Sequence, residues 1–270
     1  METAIAHLGL LEDEAIVLDA AALEIAALDH DGAEIEPYAE LLAGMAARVA
    51  VLGAQATTTV ERARVLARVI GTEFGFTGDS QTYDSPANAD LMRVIDRRRG
   101  LPVSLTILYV AAARRIGWHA DALNTPGHVL TRFGPDPDPV LVDPFHDGRI
   151  VGVGDLAALF ENALGPEVPP SAGHLAAMSN RTTLVRLLMN QASRAEAEGA
   201  LDRALVLYRR MTTIAPDHAH PWWDRARLEV AAGDPPAARA SLSAMLEVTR
   251  EPDLRNHVCA ALDALARLTR

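Results

Sequence analysis

His128 and Asp143 are of residue types that can move a proton together. An imidazole can take the proton of a nucleophile, and a carboxylate bonded to the ring holds it in the required tautomer. Such a pair needs a third residue that attacks the substrate. Ser104 is a candidate, but a serine hydroxyl is a weak nucleophile without strong activation. Its place at the start of a helix also fits a hydroxyl that bonds to backbone.

A helix and three short strands must position these residues. Pro102 suits the first turn of a helix and Gly117 its end, so the pattern predicts a helix over 102–117. Apolar, turn-bounded runs then predict strands at 118–124, 129–133 and 140–142. Proline and aspartate alternate between the last two strands and predict a hairpin loop over 134–139. A helix followed by antiparallel strands indicates an α+β fold.

Helices are also predicted before this core. Alanine- and leucine-rich periodicity indicates helices over 11–28, 37–52 and 57–70, the last ended by Gly71. Ser85 and Pro86 have the types of an N-cap and a first helical residue, so another helix is expected to begin there.

The C-terminal part of the chain predicts a helical repeat. Residues 165–170, rich in glycine and proline, are typical of a linker. Beyond it, Gly199 and Gly233 are separated by the 34-residue tetratricopeptide period. Ala204 and Ala238 follow them in the same phase. Because two repeats are too few for a free-standing solenoid, we expect them to pack on the core.

Composition disfavours several classes of function. The net charge of −11 disfavours binding to nucleic acid or to an anionic membrane surface. The single cysteine, an acidic N-terminus and the absence of a long apolar run predict a cytoplasmic protein. The sequence contains no glycine-rich phosphate loop, so no cofactor is expected. No metal site is predicted either, because His218 and His220 lack partners at metal-ligand spacing.

Several motifs in the middle of the chain resemble one protein family. Residues 96–105 read Asp-Arg-Arg-Arg-Gly-Leu-Pro-Val-Ser-Leu. They are accompanied by Asn88, Leu91, Leu108-Tyr109, Arg115-Ile116-Gly117, Pro126-Gly127-His128 and Val142-Asp143-Pro144-Phe145. Together these motifs resemble the SirB-like branch of the transglutaminase-like superfamily, in which a transglutaminase-like core precedes tetratricopeptide-type helices. The resemblance implies a papain-like core but shows no activity, because one fold hosts many functions.

The resemblance also assigns positions to a catalytic triad. The superfamily histidine falls on His128 and its acidic partner on Asp143, whereas the cysteine falls on Pro102. The one cysteine in the sequence is Cys259, which the apolar C-terminal pattern places in a helix as a small core residue.

Two functions and a three-part organisation follow as expectations. The first function is a pseudoenzyme that acts as a protein-binding or regulatory module, with its partner bound by the C-terminal repeat. The alternative is a hydrolase or acyltransferase on peptide amides, using His128 and Asp143 with Ser104 or a water as nucleophile. The expected parts are N-terminal helices over 1–75 that pack on the core, a transglutaminase-like core over 76–164, and helical repeats over 171–270.

Overall fold

The computed structural model describes residues 2–134, 139–165 and 171–268. The chain divides into two compact units, Asp13–Thr183 and Met1–Glu12 together with Leu184–Arg270. The division into 1–75, 76–164 and 171–270 stays a prediction. Most of the predicted hairpin loop at 134–139 and of the predicted linker at 165–170 lies outside the described residues, as do residues 269 and 270.

Helix α5, Pro102–Arg115, forms the centre of the larger unit. All of its residues from Pro102 to Ala113 are buried. A helix that is buried on every face must be surrounded by other elements. Helices α1 (Leu18–Ala27), α2 (Glu36–Gly53) and α3 (Thr59–Leu66) contact it. The predicted central helix is thus present, and it ends close to Gly117 as expected.

The strands of the larger unit form two sheets. The two-residue strands β1 (Thr77–Gly78) and β2 (Arg99–Gly100) pair in parallel. The second sheet is antiparallel in the order β3-β4-β5-β6. Its strands are β3 (Ala120–Leu123), β4 (Leu130–Phe133), β5 (Val140–Asp143) and β6 (Arg149–Ile150). Helix α5 contacts β3 and β4, so the α+β prediction is confirmed.

Several predicted helix boundaries are wrong. The segment predicted at 11–28 contains a 3-10 turn over Asp13–Ala15, and α1 begins only at Leu18. Gly71 does not end the third helix, because the chain continues as a π-helix over Ala67–Glu73. A glycine residue is tolerated inside a helix when tertiary packing offsets its low propensity.

The helix expected at Ser85 also begins later. Pro86–Asn88 forms a 3-10 turn, and α4 (Leu91–Arg97) follows it. The carboxylate of Asp90 caps α4 by accepting a hydrogen bond from the Arg93 N–H at 3.0 Å. Aspartate is as good an N-cap as serine, so the cap signal alone does not select between the two starts. Helix α6 (Val153–Leu164), which no sequence pattern above predicted, follows β6.

The smaller unit contains the predicted helical repeat. Its helices include the C-terminal part of α7 (Asn180–Ala197), then α8 (Leu201–Ile214), α9 (Ala219–Ala231), α10 (Pro235–Val248) and α11 (Pro252–Leu268). Gly199 and Gly233 both have positive φ, 75° and 76°. The N–H of the next residue bonds to a carbonyl five residues earlier in both turns, at 2.8 and 2.9 Å. The same turn therefore recurs one repeat later, as the spacing predicted.

Cys259 corrects one expectation about this unit. The sequence pattern placed it in the core, but its side chain is exposed on α11. Val258, its neighbour, is fully buried, and Leu265 on the same face is 5 % exposed. Each residue turns about 100° around a helix, so the position after a buried residue can point outwards.

Candidate functional site

His128 lies in a tight turn that leads into β4. Its backbone N–H donates to the carbonyl of Thr125 at 3.1 Å. Gly127 has a φ of 68°, a left-handed conformation that glycine adopts without steric cost. Pro126 and Gly127 therefore turn the chain so that His128 immediately precedes the strand.

Asp143 is the last residue of β5 and caps the 3-10 turn that follows, Pro144–His146. Its Oδ1 accepts a hydrogen bond from the backbone N–H of Phe145 at 3.0 Å. Asp147 and Gly148 both have positive φ, and the Gly148 N–H donates to the Asp143 carbonyl at 2.9 Å. The carboxylate is thus fixed by the backbone of its own turn.

The structure brings His128 and Asp143 together, and it adds His146. Nε2 of His128 lies 2.9 Å from Oδ1 of Asp143, and Nδ1 of His146 lies 2.7 Å from Oδ2. The side chains of His128 and Asp143 are 13 % and 5 % exposed, whereas that of His146 is 59 % exposed. Burial alone would raise the pKa of Asp143, but the hydrogen bonds from His128 and His146 and their electrostatic interaction with the carboxylate outweigh this effect. The pKa of Asp143 is therefore below its ordinary value.

These three side chains line a cavity of about 460 Å³. The remaining lining residues come from the turn before β4, from β6 and from α6: Pro126, Gly127, Arg149, Asp155, Ala158, Leu159, Asn162 and Ala163. Arg149 and Asp155 form an ion pair at 3.3 Å. The cavity thus has an imidazole–carboxylate group on one side and a largely apolar face of α6 on the other.

The start of α5, where the resemblance places a cysteine, has no reactive group of that kind. Pro102 is buried and has no N–H. Ser104 is fully buried, and its hydroxyl donates to the carbonyl of Asn88 at 2.7 Å. Among the described residues, the lining of the cavity does not include Ser104. The predicted serine–backbone bond is therefore present. It directs the Ser104 hydroxyl to the Asn88 carbonyl, which disfavours Ser104, but not a water, as the nucleophile of the alternative function.

His146 is the residue that sequence reasoning missed. The motif that ended at Phe145 stopped one residue short of it, and no metal site was predicted from the sequence. The signal available was the spacing Asp-Pro-Phe-His-Asp-Gly, in which an acid caps a single turn and a histidine follows three residues later. His128, Asp143 and His146 each offer one donor atom, and these atoms all lie within 4.8 Å of one another.

A second cavity, of about 310 Å³, lies in the repeat unit. It is lined by side chains of α9, α10 and α11: Trp223, Ala226, Arg227, Val230, Leu242, Ala261, Ala264 and Leu265. Arg227 pairs with Glu196 at 2.6 Å and with Asp224 at 3.3 Å, so its charge is neutralised within the unit. The lining that remains is almost entirely apolar.

Sequence comparison agrees with this architecture. The profile of the transglutaminase-like superfamily matches residues 36–189, and a tetratricopeptide repeat profile matches residues 195–262. The chain belongs to the transglutaminase-like superfamily. The resemblance inferred from the motifs is confirmed, with a transglutaminase-like domain followed by tetratricopeptide-type helices.

The relatives include bacterial proteins and an animal protein. A UPF0162 protein of Pseudomonas aeruginosa is 32% identical over 71% of this chain and 70% of its own length. A UPF0162 protein of Xylella fastidiosa is 32% identical over 67% of this chain, which spans 66% of that relative. These matches place the chain in the UPF0162 family. F-box only protein 21 of mouse is 27% identical over 52% of this chain but only 23% of its own length.

No described helix has both the length and the apolar composition needed to cross a lipid bilayer.

Proposed function

We propose that the transglutaminase-like domain is not a thiol enzyme and that the chain binds a protein partner through its helical repeat. The observation that carries the first part is Pro102 at the position that the family motif assigns to the nucleophile. Proline offers neither a thiol nor a proton. The one cysteine, Cys259, is in α11 of the other unit.

The surroundings of Pro102 support a structural role for this helix start. The carbonyl of Asn88 accepts bonds from the Leu101 N–H at 3.0 Å and from the Ser104 hydroxyl at 2.7 Å. The Asn88 side chain donates to the Thr82 carbonyl at 2.7 Å and accepts from Arg97 at 2.8 Å. The polar groups beside Pro102 are thus occupied in hydrogen bonds that stabilise the start of the helix.

The apolar cavity of the repeat unit supports partner binding. Tetratricopeptide-type helices stack so that neighbouring helices form an extended surface used for recognition. Here α9 and α11 leave a cavity whose rim includes Val230, which is 42 % exposed. A partner that inserts an apolar side chain there would bury surface that now faces water, at roughly 25 cal/mol per Å².

The test compares two exposed apolar residues of the repeat unit. Full-length chain is used to capture proteins from a bacterial lysate, and a captured protein is then purified and its affinity measured directly. Val230→Glu places a charge at the cavity, whereas the control Leu201→Glu changes a residue of α8 that is 44 % exposed and does not line it. We expect the first variant to weaken binding by tenfold or more and the control to leave it unchanged. Equal effects, or no effect of either, contradict the proposal.

The acid–base pair favours a second candidate function. His128 and Asp143 are bonded and line an open cavity, which is the arrangement a hydrolase needs if a water replaces the missing thiol. This candidate predicts hydrolysis of peptide amides that His128→Gln abolishes and Ser104→Ala does not. If a panel of peptide amides shows no turnover above the His128→Gln background, the candidate is excluded for those substrates.

A further inference from the structure

We propose that His128, Asp143 and His146 form a binding site for a divalent transition-metal ion of the zinc class. The site is assembled from two turns of the larger unit, the one before β4 and the one after β5. Its donors are two imidazole nitrogens and one carboxylate, a set that zinc sites in proteins use.

The donor atoms already converge. Each imidazole nitrogen lies 2.9 Å or less from an oxygen of Asp143, and all three donors fall within 4.8 Å. Zinc binds nitrogen at about 2.0–2.1 Å and carboxylate oxygen at about 2.0–2.2 Å, so donors of a tetrahedral site lie roughly 3.3 Å apart. The required adjustment is small, and His146 can make it because its side chain is 59 % exposed.

The carboxylate is held in place without help from the histidines. The N–H of Phe145 donates to Oδ1 of Asp143 at 3.0 Å, and the Gly148 N–H fixes the carbonyl of the same residue at 2.9 Å. Hydrogen bonds of this kind orient a ligating carboxylate before the ion arrives. Both imidazoles bond to this carboxylate, so the three side chains are already grouped.

The cavity fits an ion with a free coordination position. Three protein donors leave a fourth zinc position for water or another ligand. The donors face a space of about 460 Å³, so such a ligand has room. Two imidazoles favour zinc, cobalt, nickel or copper over magnesium and calcium, which prefer oxygen donors. Arg149, which also lines the cavity, is paired with Asp155 at 3.3 Å, so its charge is balanced there.

This inference does not rest on the proposed function. Partner binding concerns α9 and α11 of the smaller unit, whereas the metal site concerns turns of the larger one. Either can fail while the other holds.

The test measures Zn²⁺ binding to the full-length chain after treatment with a chelator. We expect isothermal titration with Zn²⁺ alone to show one site per chain, and Mg²⁺ to show none. Two variants keep the hydrogen bonds but remove the ligand: His128→Gln places an amide near Nε2, and His146→Asn places one near Nδ1. Each should weaken Zn²⁺ binding by about 100-fold or more.

Matched controls identify binding elsewhere. The double variant His218→Asn/His220→Asn removes a histidine pair of the smaller unit, and Cys259→Ser removes the exposed thiol. Neither should change the affinity. One equivalent of Co²⁺ should give visible absorption bands in the wild type and in both controls but not in His146→Asn.

Three results would overturn the proposal. They are the absence of a Zn²⁺ site, a site indifferent to His128→Gln and His146→Asn, and a site lost only in the control variants. Circular dichroism of the metal-free variants confirms that they fold. If the mostly buried His128 does not tolerate substitution, His146→Asn still tests the proposal, because the side chain of His146 is exposed.

Discussion

The start of α5 and the turn after β5 carry residues of the same family motifs, yet they are built in opposite ways. At the start of α5, the polar groups of Asn88 and Ser104 are buried and bonded to backbone carbonyls or to Arg97. At the turn after β5, His146 is largely exposed and the carboxylate of Asp143 lines a cavity. The start of α5 is thus bonded structural framework, whereas His128, Asp143 and His146 line a cavity.

The largest expected effect concerns the framework around Asn88. Asp79, which is 5 % exposed, accepts from Arg97 at 2.7 Å and from the Thr82 hydroxyl at 2.6 Å. Asp79→Ala leaves a charge and a hydroxyl without their partner, so we expect the free energy of unfolding to fall by about 3–5 kcal/mol. Urea denaturation measures this loss. Glu73→Ala, which breaks an exposed pair with Arg48, is the control and should cost much less.

The same variant has a pH signature. Burial alone would raise the pKa of Asp79, but hydrogen bonds from Thr82, Arg97 and Asn88 outweigh it and hold the pKa below its ordinary value. A carboxyl group with a depressed pKa stabilises the fold above its unfolded-state pKa, about 3.9, and loses this contribution as the pH falls further. The difference between wild type and Asp79→Ala should therefore be full at pH 7 and shrink below about pH 4. A difference independent of pH would mean that packing, not charge, dominates.

An intermediate effect is expected at the turn that carries His146. A Cβ at Gly148 would lie 2.6 Å from both the Ala67 Cβ and the Tyr109 hydroxyl, and its φ is 71°. Because backbone strain and overpacking act together, we expect Gly148→Ala to lower the free energy of unfolding by about 2–4 kcal/mol. Gly32→Ala is the matched control, because its φ is 75° and nothing lies within 4 Å of the added Cβ. Thermal melting should show that the control loses about 1 kcal/mol of unfolding free energy. Equal losses in the two variants would mean that Ala67 and Tyr109 move away from the added Cβ.

The smallest expected effect tests whether Ser104 belongs to the framework or to the cavity. Ser104→Ala removes one bond to the Asn88 carbonyl, which keeps its bond from the Leu101 N–H. We expect a loss of about 1 kcal/mol in the free energy of unfolding and no change in Zn²⁺ affinity. If this variant lost a peptide-amide hydrolase activity, Ser104 would be a reactive group and the start of α5 would not be purely structural.

Local patterns were enough to predict the central helix and the turns of the repeat. Pro102 and Gly117 bracket α5 because the signals for a helix start and a helix end are short-range. Gly199 and Gly233 indicated the repeat because each turn is complete within a few residues. The helix start at Leu91 was missed because Ser85 and Asp90 are N-cap residues of equal quality. The start at Leu18 was missed because the residue before it, Val17, gives no capping signal.

The site could be predicted only in part, because its last member depends on contacts far apart in sequence. His128 and Asp143 were found from residue type and family motif. His146 is placed by the left-handed turn at Asp147 and Gly148, and that turn is fitted against Ala67 and Tyr109. The π-helix over Ala67–Glu73 is part of the same arrangement, and no local pattern predicts it. The placement of His146 therefore depends on packing between segments that are distant in sequence, which the motif does not describe.

The position of Cys259 has a practical consequence. The chain has one cysteine, and it is exposed on α11, the helix that forms one wall of the apolar cavity in the repeat unit. A fluorophore or spin label can therefore be attached to the wild-type chain at a single defined point, without engineering. Such a reporter is carried by a helix that lines the surface proposed for partner docking, and it offers a readout of association in solution.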